Sequence, residues 1–290
     1  MAVDLHLHSW FSDGTDDPES IVDVAAEMGL SAIALTDHDN LDGIPRARAA
    51  AQTAGIELIA GTELSVGWNG EAMHLLVYFL EPGSGPLQNK LTEIQQGRSN
   101  RNEHIVERLN ELGMDITFEE VLSEGEGTGI GRPHFAAVMV AKGYATDIRD
   151  AFDRFLASGR PGYVARYRLD AIEAIELAVA SGAVASIAHP HTLGVAAADY
   201  REAFTTLTAA GLGGIEAYYG EYEPHLRDHL AQLCADLGIV ATGGSDYHGH
   251  YKPDLRIGVG RGDLQVPDTA LEELLAWRDR HTDRFKASDH

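Results

Sequence analysis

The chain has 290 residues and sets 22 Lys plus Arg against 45 Asp plus Glu, a net charge of −23 at pH 7. A field of that sign argues against partners such as duplex nucleic acid or an anionic membrane. The single cysteine, Cys234, excludes an intrachain disulfide framework, and the length suffices to bury a core without one. Val3–His8 reads as a strand, and Pro18 opens a helix over Glu19–Met28 that Gly29 stops. Ser31–Thr36 is a second strand, Ile44–Ala54 a helix closed by Gly55, and Ile56–Ala60 and His74–Leu80 are two further strands. The pattern then turns helical, over Leu87–Leu112, Phe118–Ser123, His134–Lys142 and Ile148–Leu156, with a glycine-rich joint at 124–131. Gly162–Val164 is the next predicted strand. From Asp170 the alternation resumes with helix Ala171–Ala180, strand Val184–Ala188, helix Tyr200–Ala210 and strand Gly214–Ala217. Helix Pro224–Leu237, strand Ile239–Thr242 and helix Thr269–His281 complete it. About seven such βα units predict an α/β fold with a parallel sheet, and residues 83–159 read as a helical insertion between 1–82 and 160–290. No apolar run approaches the roughly 18 residues of a membrane span, and no basic signal region opens the chain, so the expected setting is cytoplasmic.

Side chains with metal-binding chemistry stand where these strands end. His6 and His8, two apart on a strand, share one face. Asp13 follows, then Asp37-His38-Asp39, Glu63, His74, His189-Pro190-His191 and Asp246-Tyr247-His248. A lone histidine at a strand end is usually a hydrogen-bonded polar residue. Six histidines (His6, His8, His38, His74, His189 and His248) and three carboxylates (Asp13, Glu63 and Asp246) at the ends of six strands or in their loops are another matter, because a barrel gathers the C-terminal strand ends into one mouth. This favours a barrel over an open sheet and predicts a cluster of nitrogen and oxygen donors. Without thiolate, it suits Mn²⁺, Fe²⁺ or Zn²⁺ in a reactive site.

His6-Leu7-His8-Ser9, Thr36-Asp37-His38-Asp39, Gly61-Thr62-Glu63, Ala188-His189-Pro190 and Gly244-Ser245-Asp246-Tyr247-His248, in that order, resemble the PHP (polymerase and histidinol phosphatase) family. The resemblance implies a distorted (β/α)7 barrel with an inserted helical subdomain, holding two or three divalent metal ions (Mn²⁺, Fe²⁺ or Zn²⁺). It implies His6, His8, Glu63 and Asp246 around one ion, with His74 and His189 sharing Glu63 around a second. Asp13, His38 and His248 would hold a third. Ions roughly 3.5–4 Å apart can share a hydroxide competent to attack a phosphate ester. Glu63 and Asp246 are thus expected to be catalytic as well as metal-holding.

The predicted insertion carries the basic residues that would choose a substrate. Arg98, Arg101 and Asn102 share a helix face, and Gly131-Arg132-Pro133-His134 starts a helix. Arg160, Arg166 and Arg168 follow. The default for any of these arginines is a solvated residue paired with one of the many carboxylates. The two segments, however, resemble those that bind substrate in the PHP subgroup hydrolysing nucleoside 3′,5′-bisphosphates, whose relatives include 5′→3′ exoribonucleases. The resemblance implies that Arg98, Arg101, Asn102, Arg132 and His134 hold a small nucleotide or a short 5′-phosphorylated oligonucleotide. The 3′-phosphate of adenosine 3′,5′-bisphosphate would be removed. His134 and His191 are the two candidates for protonating the leaving oxygen, and His191 is alternatively a partner orienting His189. Histidinol-phosphate phosphatase shares the metal motifs, and a non-catalytic nucleotide sensor is the alternative from another class. Trp10, Trp68 and Trp277 read as packing residues rather than base-stacking platforms.

Overall fold

The computed structural model describes residues 2–124, 130–165 and 168–286; Arg166 and residues 125–129 of the glycine-rich joint lie outside them. The strands are β1 (Val3–Leu7), β2 (Ala32–Leu35), β3 (Glu57–Trp68), β4 (Glu71–Tyr78), β5 (Leu169–Asp170), β6 (Val184–Ile187), β7 (Gly214–Tyr219) and β8 (Val240–Gly244). Seven form a path β1-β2-β3-β4-β6-β7-β8, while β5 pairs with the far end of β3. The path curls back on itself. The His8 amide donates to the Tyr247 carbonyl at 3.0 Å and the Asp246 amide to the His6 carbonyl at 2.9 Å, joining β1 to the segment after β8. The result is a nearly closed, distorted α/β barrel.

The expectation of a wholly parallel sheet needs correction at β4, which is antiparallel to both β3 and β6. Asn69 and Gly70, with φ of 50° and 83°, make the two-residue turn that folds β4 back on β3. The Asn-Gly pair is a hairpin signal that the reading of Ile56–Ala60 as a short strand overlooks. The reversal matters for the site. His74, near the start of β4, pairs in register with Ser65 and so lies at the end where the parallel strands terminate.

The predicted strand at Gly162–Val164 is also absent. The Gly162 amide donates to the Phe155 carbonyl at 2.9 Å, and a Cβ there would stand 2.9 Å from the Leu109 side chain. This stretch closes the helical segment tightly, and the strand forms later, at β5.

Alternate residues along the strands feed two cores, as period two requires. Ile33 and Leu35 join the large cluster packed against α1 (Pro18–Glu27), α2 (Ile44–Ala54), α7 (Ala171–Ala180), α8 (Tyr200–Ala209) and α9 (Pro224–Leu237), the helices outside the sheet. Ala32 and Ala34 join Leu5, Leu76, Tyr78 and Val240, where Leu274 and Trp277 of the last helix (Thr269–Lys286) also pack. A third cluster draws on α3 (Pro86–Glu111), α4 (Phe118–Leu122), α5 (Arg132–Ala141) and α6 (Ile148–Ala151), which continues as a π-helical turn over Phe152–Leu156. Helix α3 bridges two of these cores: Leu87, Leu91 and Ile94 pack in the first, Ile105 and Leu109 in the third. Arg98, Arg101 and Asn102 are buried at the changeover between them. Among the described residues no helix is long and apolar enough to cross a membrane.

Candidate metal centre

β1 brings His6 and His8 to the mouth with their Nε2 atoms 3.0 Å apart. Glu63 Oε2, from β3, lies 3.3 and 3.1 Å from those atoms, and Asp246 Oδ1, just after β8, lies 3.5 Å from each. A tetrahedron with such edges has its centre about 2 Å from each corner, the bond length of Zn²⁺ or a similar ion to nitrogen or oxygen. A second group surrounds the other oxygen of Glu63. Its Oε1 is 2.9 Å from both His74 Nδ1 and His189 Nε2, which are 3.3 Å apart. His38 approaches from the far side, its Nδ1 3.2 Å from Glu63 Oε2. A third group gathers Asp13, His38 and His248, with Asp13 oxygens 3.5 Å from His38 Nε2 and 3.3 Å from His248 Nε2. His8 borders it, 3.7 Å from Asp13.

The protonation pattern fits cations at these centres. His6 Nδ1 lies 2.7 Å from Glu216 Oε1, an acceptor, so His6 donates there and its Nε2 lone pair faces the first group. His248 Nδ1 lies 2.9 Å from the Asp246 carbonyl, which leaves its Nε2 lone pair facing the Asp13 carboxylate. Two acceptors face each other there, a contact that only a proton or a metal ion makes favourable. Burial, opposed by Asp13 and Glu63, lowers the His38 pKa to about 3, and burial likewise lowers that of His248. Both imidazoles are therefore neutral and ready as ligands. Backbone strain concentrates here too: His189 and Asp246 adopt φ of 27° and 55°, values that non-glycine residues avoid.

His6 and His8 behave differently without an ion. Burial opposes their charge, but Glu216, Asp246 and Glu63 outweigh it for His6, and Asp246 with Glu63 raises His8 to about 9. A raised folded pKa adds stability that is complete below the ordinary value of 6.5 and is lost as pH rises through about 9. Chelated protein is expected to lose melting temperature from pH 6.5 to 9, while Mn²⁺, which displaces these protons, stabilises it more as pH rises. Thermal melts with and without Mn²⁺ measure both slopes, and parallel slopes would contradict a protonated pair.

Further side chains hold the donors in place, and the strand-end pattern alone does not reveal them. Glu216 of β7 is fully buried and receives the His6 imidazole on one oxygen and the His189 amide, at 2.7 Å, on the other. Its signal is an acid inside the apolar run Gly214-Ile215-Glu216-Ala217. Glu216→Gln is expected to weaken metal binding roughly 10- to 100-fold while leaving the fold intact, as read by competition with a chelator. Unchanged affinity would remove its orienting role. Asp37, raised to about 6 by burial despite His8 and the serines, accepts from the Ser9 amide and the Ser9 and Ser12 hydroxyls. It thereby shapes the loop that presents Asp13. Asp246 Oδ2 turns away from the donors to meet Lys252 Nζ at 2.5 Å and the Tyr219 hydroxyl at 2.8 Å.

The donors open into a cavity of about 260 Å³, which Arg98, Arg101, Arg132 and Lys252 also line. Arg98 is ion-paired with Asp39, and Arg101 donates to Asn102 Oδ1 at 2.7 Å. Arg132 donates to the Leu156 carbonyl at 3.1 Å and lies over the Phe152 and Tyr163 rings. Arg101 and Arg132 continue into a smaller cavity shared with His74, Tyr163 and Arg168. Three sequence candidates stand back from the main cavity. Asn102 bridges Arg101 to the Ile130 carbonyl at 2.9 Å. His134 is fully buried, its Nδ1 accepting from the Gly131 amide at 3.1 Å, so that amide is engaged within the helix start. His191 is exposed and bonds the Tyr222 hydroxyl at 2.9 Å; His189 Nδ1 instead meets Thr192 Oγ1 at 3.2 Å. His191 therefore does not orient His189.

A family model described as the PHP domain matches residues 4–121. A 3′,5′-nucleoside bisphosphate phosphatase of Chromobacterium violaceum is 34% identical over 249 residues, 85% of this chain and 87% of that protein. The chain belongs to the PHP family. A 5′-3′ exoribonuclease of Haemophilus influenzae is 32% identical over 248 residues, 84% of this chain and 89% of the relative. A structure from Bifidobacterium adolescentis, assigned as a metal-dependent phosphoesterase, superposes with a TM-score of 0.85 at 30% identity, covering 95% of this chain and 96% of its own. This PHP protein is a metal-dependent phosphoric ester hydrolase with a His/Asp/Glu site able to hold several ions.

Proposed function

We propose that this enzyme removes the 3′-phosphate of a nucleoside 3′,5′-bisphosphate, adenosine 3′,5′-bisphosphate in particular, and cleaves short 5′-phosphorylated oligonucleotides by the same chemistry. The observation that carries this reading is a pair of neighbouring cavities that share Ser65, His74, Arg101 and Arg132 in their walls. One contains the metal donors, and the other contains Arg101, Arg132 and Arg168, suited to a second phosphate. The relatives named a bisphosphate phosphatase and an exoribonuclease support it.

In this reading His6, His8, Glu63 and Asp246 hold one ion, Glu63, His74 and His189 a second, and Asp13, His38 and His248 a third, drawn from Mn²⁺, Fe²⁺ and Zn²⁺. Bound ions would supply Lewis acidity at the phosphoryl oxygens and a deprotonated water near neutral pH. The chain's own part is positioning. Arg101, Arg132 and Arg168 hold the 5′-phosphate, which fixes the nucleoside so that its 3′-phosphorus meets the donors in line. Water adds to phosphorus, the P–O3′ bond breaks, and the 3′-oxygen leaves with a proton. Burial lowers the pKa of His134, which leaves a neutral imidazole rather than a charged acid. Helices α3 to α6, within 83–159, act as the cap that presents the arginines. The single, buried Cys234 supports a reducing, cytoplasmic setting.

The test is phosphate release with Mn²⁺ from adenosine 3′,5′-bisphosphate, 5′-AMP, a 5′-phosphorylated dinucleotide and histidinol phosphate. Turnover of the bisphosphate is expected, and release from histidinol phosphate alone would overturn the reading. Arg132→Ala should raise KM for the bisphosphate roughly 10- to 100-fold with a much smaller effect on adenosine 3′-monophosphate. Equal effects on both would show that Arg132 does not hold the 5′-phosphate.

A further inference from the structure

We propose a nucleobase subsite beside the metal centre, built on Trp10, His250 and Tyr251, for the nucleotide that follows the scissile phosphate of an oligonucleotide. It rests on the nucleotide reading above and extends it to what separates an oligonucleotide from a mononucleotide. A second cavity of about 240 Å³ is lined by these three rings together with Thr15 and Glu124.

Its position follows from the chain. Thr15 lies two residues after Asp13, His250 and Tyr251 lie two and three after His248, and Tyr251 lines both this cavity and the one over the donors. The donor rings form a row. His74 is 5.0 Å from His38 between ring centroids, and His38 is 6.4 Å from His248. His74 lines the arginine cavity, while the aromatic cavity shares Tyr251 with the cavity over the donors, which His248 also lines. A nucleotide held by its 5′-phosphate among the arginines, with its 3′-phosphate at the donors, directs the next residue of the strand past Tyr251.

The lining has the chemistry of a base. His250 and Tyr251 rings stand edge to face with centroids 4.7 Å apart. Trp10 is half-buried and lines this cavity, where its ring offers a face for a base to stack on. Arg46 lies 5.2 Å over the Trp10 ring and is itself fixed by Glu19 at 2.8 Å, so the indole is held in advance of binding. Trp68 and Trp277 are buried in the cores, where the packing reading fits them; Trp10, half-buried on a cavity wall, departs from it.

The experiment compares kcat/KM of the Mn²⁺-loaded enzyme for a 5′-phosphorylated diadenylate and for adenosine 3′,5′-bisphosphate. Trp10→Ala should lower the dinucleotide-to-bisphosphate ratio roughly 5- to 100-fold, the range of one base–aromatic stack, and Trp10→Phe should keep most of it. A dinucleotide whose second residue is abasic gives a reading independent of any variant's folding. Wild type should lose the same factor on it, and Trp10→Ala should lose little more. An unchanged ratio, an equal loss on both substrates, or full wild-type activity on the abasic substrate would overturn the subsite while leaving the nucleotide reading in place. If wild type turns over neither nucleotide yet hydrolyses histidinol phosphate, both readings fall.

Discussion

Replacing Glu63 by Gln is expected to lower kcat for phosphate release by roughly 10³-fold or more while the chain still folds. Glu63 is buried, and its two oxygens serve different groups: Oε2 faces His6 and His8, and Oε1 faces His74 and His189. Burial disfavours its charge, yet His38, His74 and His6 hold its pKa well below the ordinary carboxylate range. A glutamine keeps the shape but replaces one anionic oxygen with an N–H₂ that cannot ligate and that would point hydrogens at imidazole lone pairs. Two donor groups should thus be impaired by one substitution. Metal content by atomic absorption and kcat on one sample separate loss of ions from loss of chemistry. Activity within tenfold of wild type would show that Glu63 does not join the two groups.

Breaking the Asp39–Arg98 pair is expected to cost about 3–5 kcal/mol of stability, the range for removing one partner of a buried pair. Asp39 is fully buried at φ 51°, and Arg98 is nearly so. The other carboxylate oxygen accepts the Ser65 amide at 2.9 Å, and the Asp39 carbonyl accepts Gln95 Nε2 at 2.9 Å. Helix α3 is thus anchored to the loop after β2 and to β3 at once. Arg98→Met would leave a carboxylate buried without its cation. Urea unfolding should show the midpoint drop, and Asp39→Asn combined with Arg98→Met should recover part of it, since no charge is then stranded. A single-variant loss under 1 kcal/mol would mean that water reaches the pair. Arg98 therefore has a structural duty at the cavity wall that its sequence position next to Arg101 does not disclose.

Much of this was legible in the chain. The βα alternation, Pro and Gly at helix ends, and histidines two apart on a strand all follow from local rules, because periodicity and caps act within a few residues. The donor types were legible for the same reason: His6, His8, Asp13, His38, His189, Asp246 and His248 sit at strand ends or in the loops that follow, whereas Glu63, read as following a short strand, lies within the longer β3. The Asn69-Gly70 hairpin was equally present in the sequence, though only the reversed β4 shows what it does for His74. Glu216 was readable only as an anomaly, an acid within an apolar run.

What the sequence determined by itself was therefore chemical type: a barrel of βα units, a nitrogen–oxygen donor set and a basic helical segment. The tertiary structure alone decided the pairings, because they join residues far apart in the chain. Glu63 meets His189, Glu216 meets His6, Asp39 meets Arg98, and Tyr251 divides two cavities. No local rule carries such information, since which strand end faces which is set by closure of the sheet and by the cores beneath it.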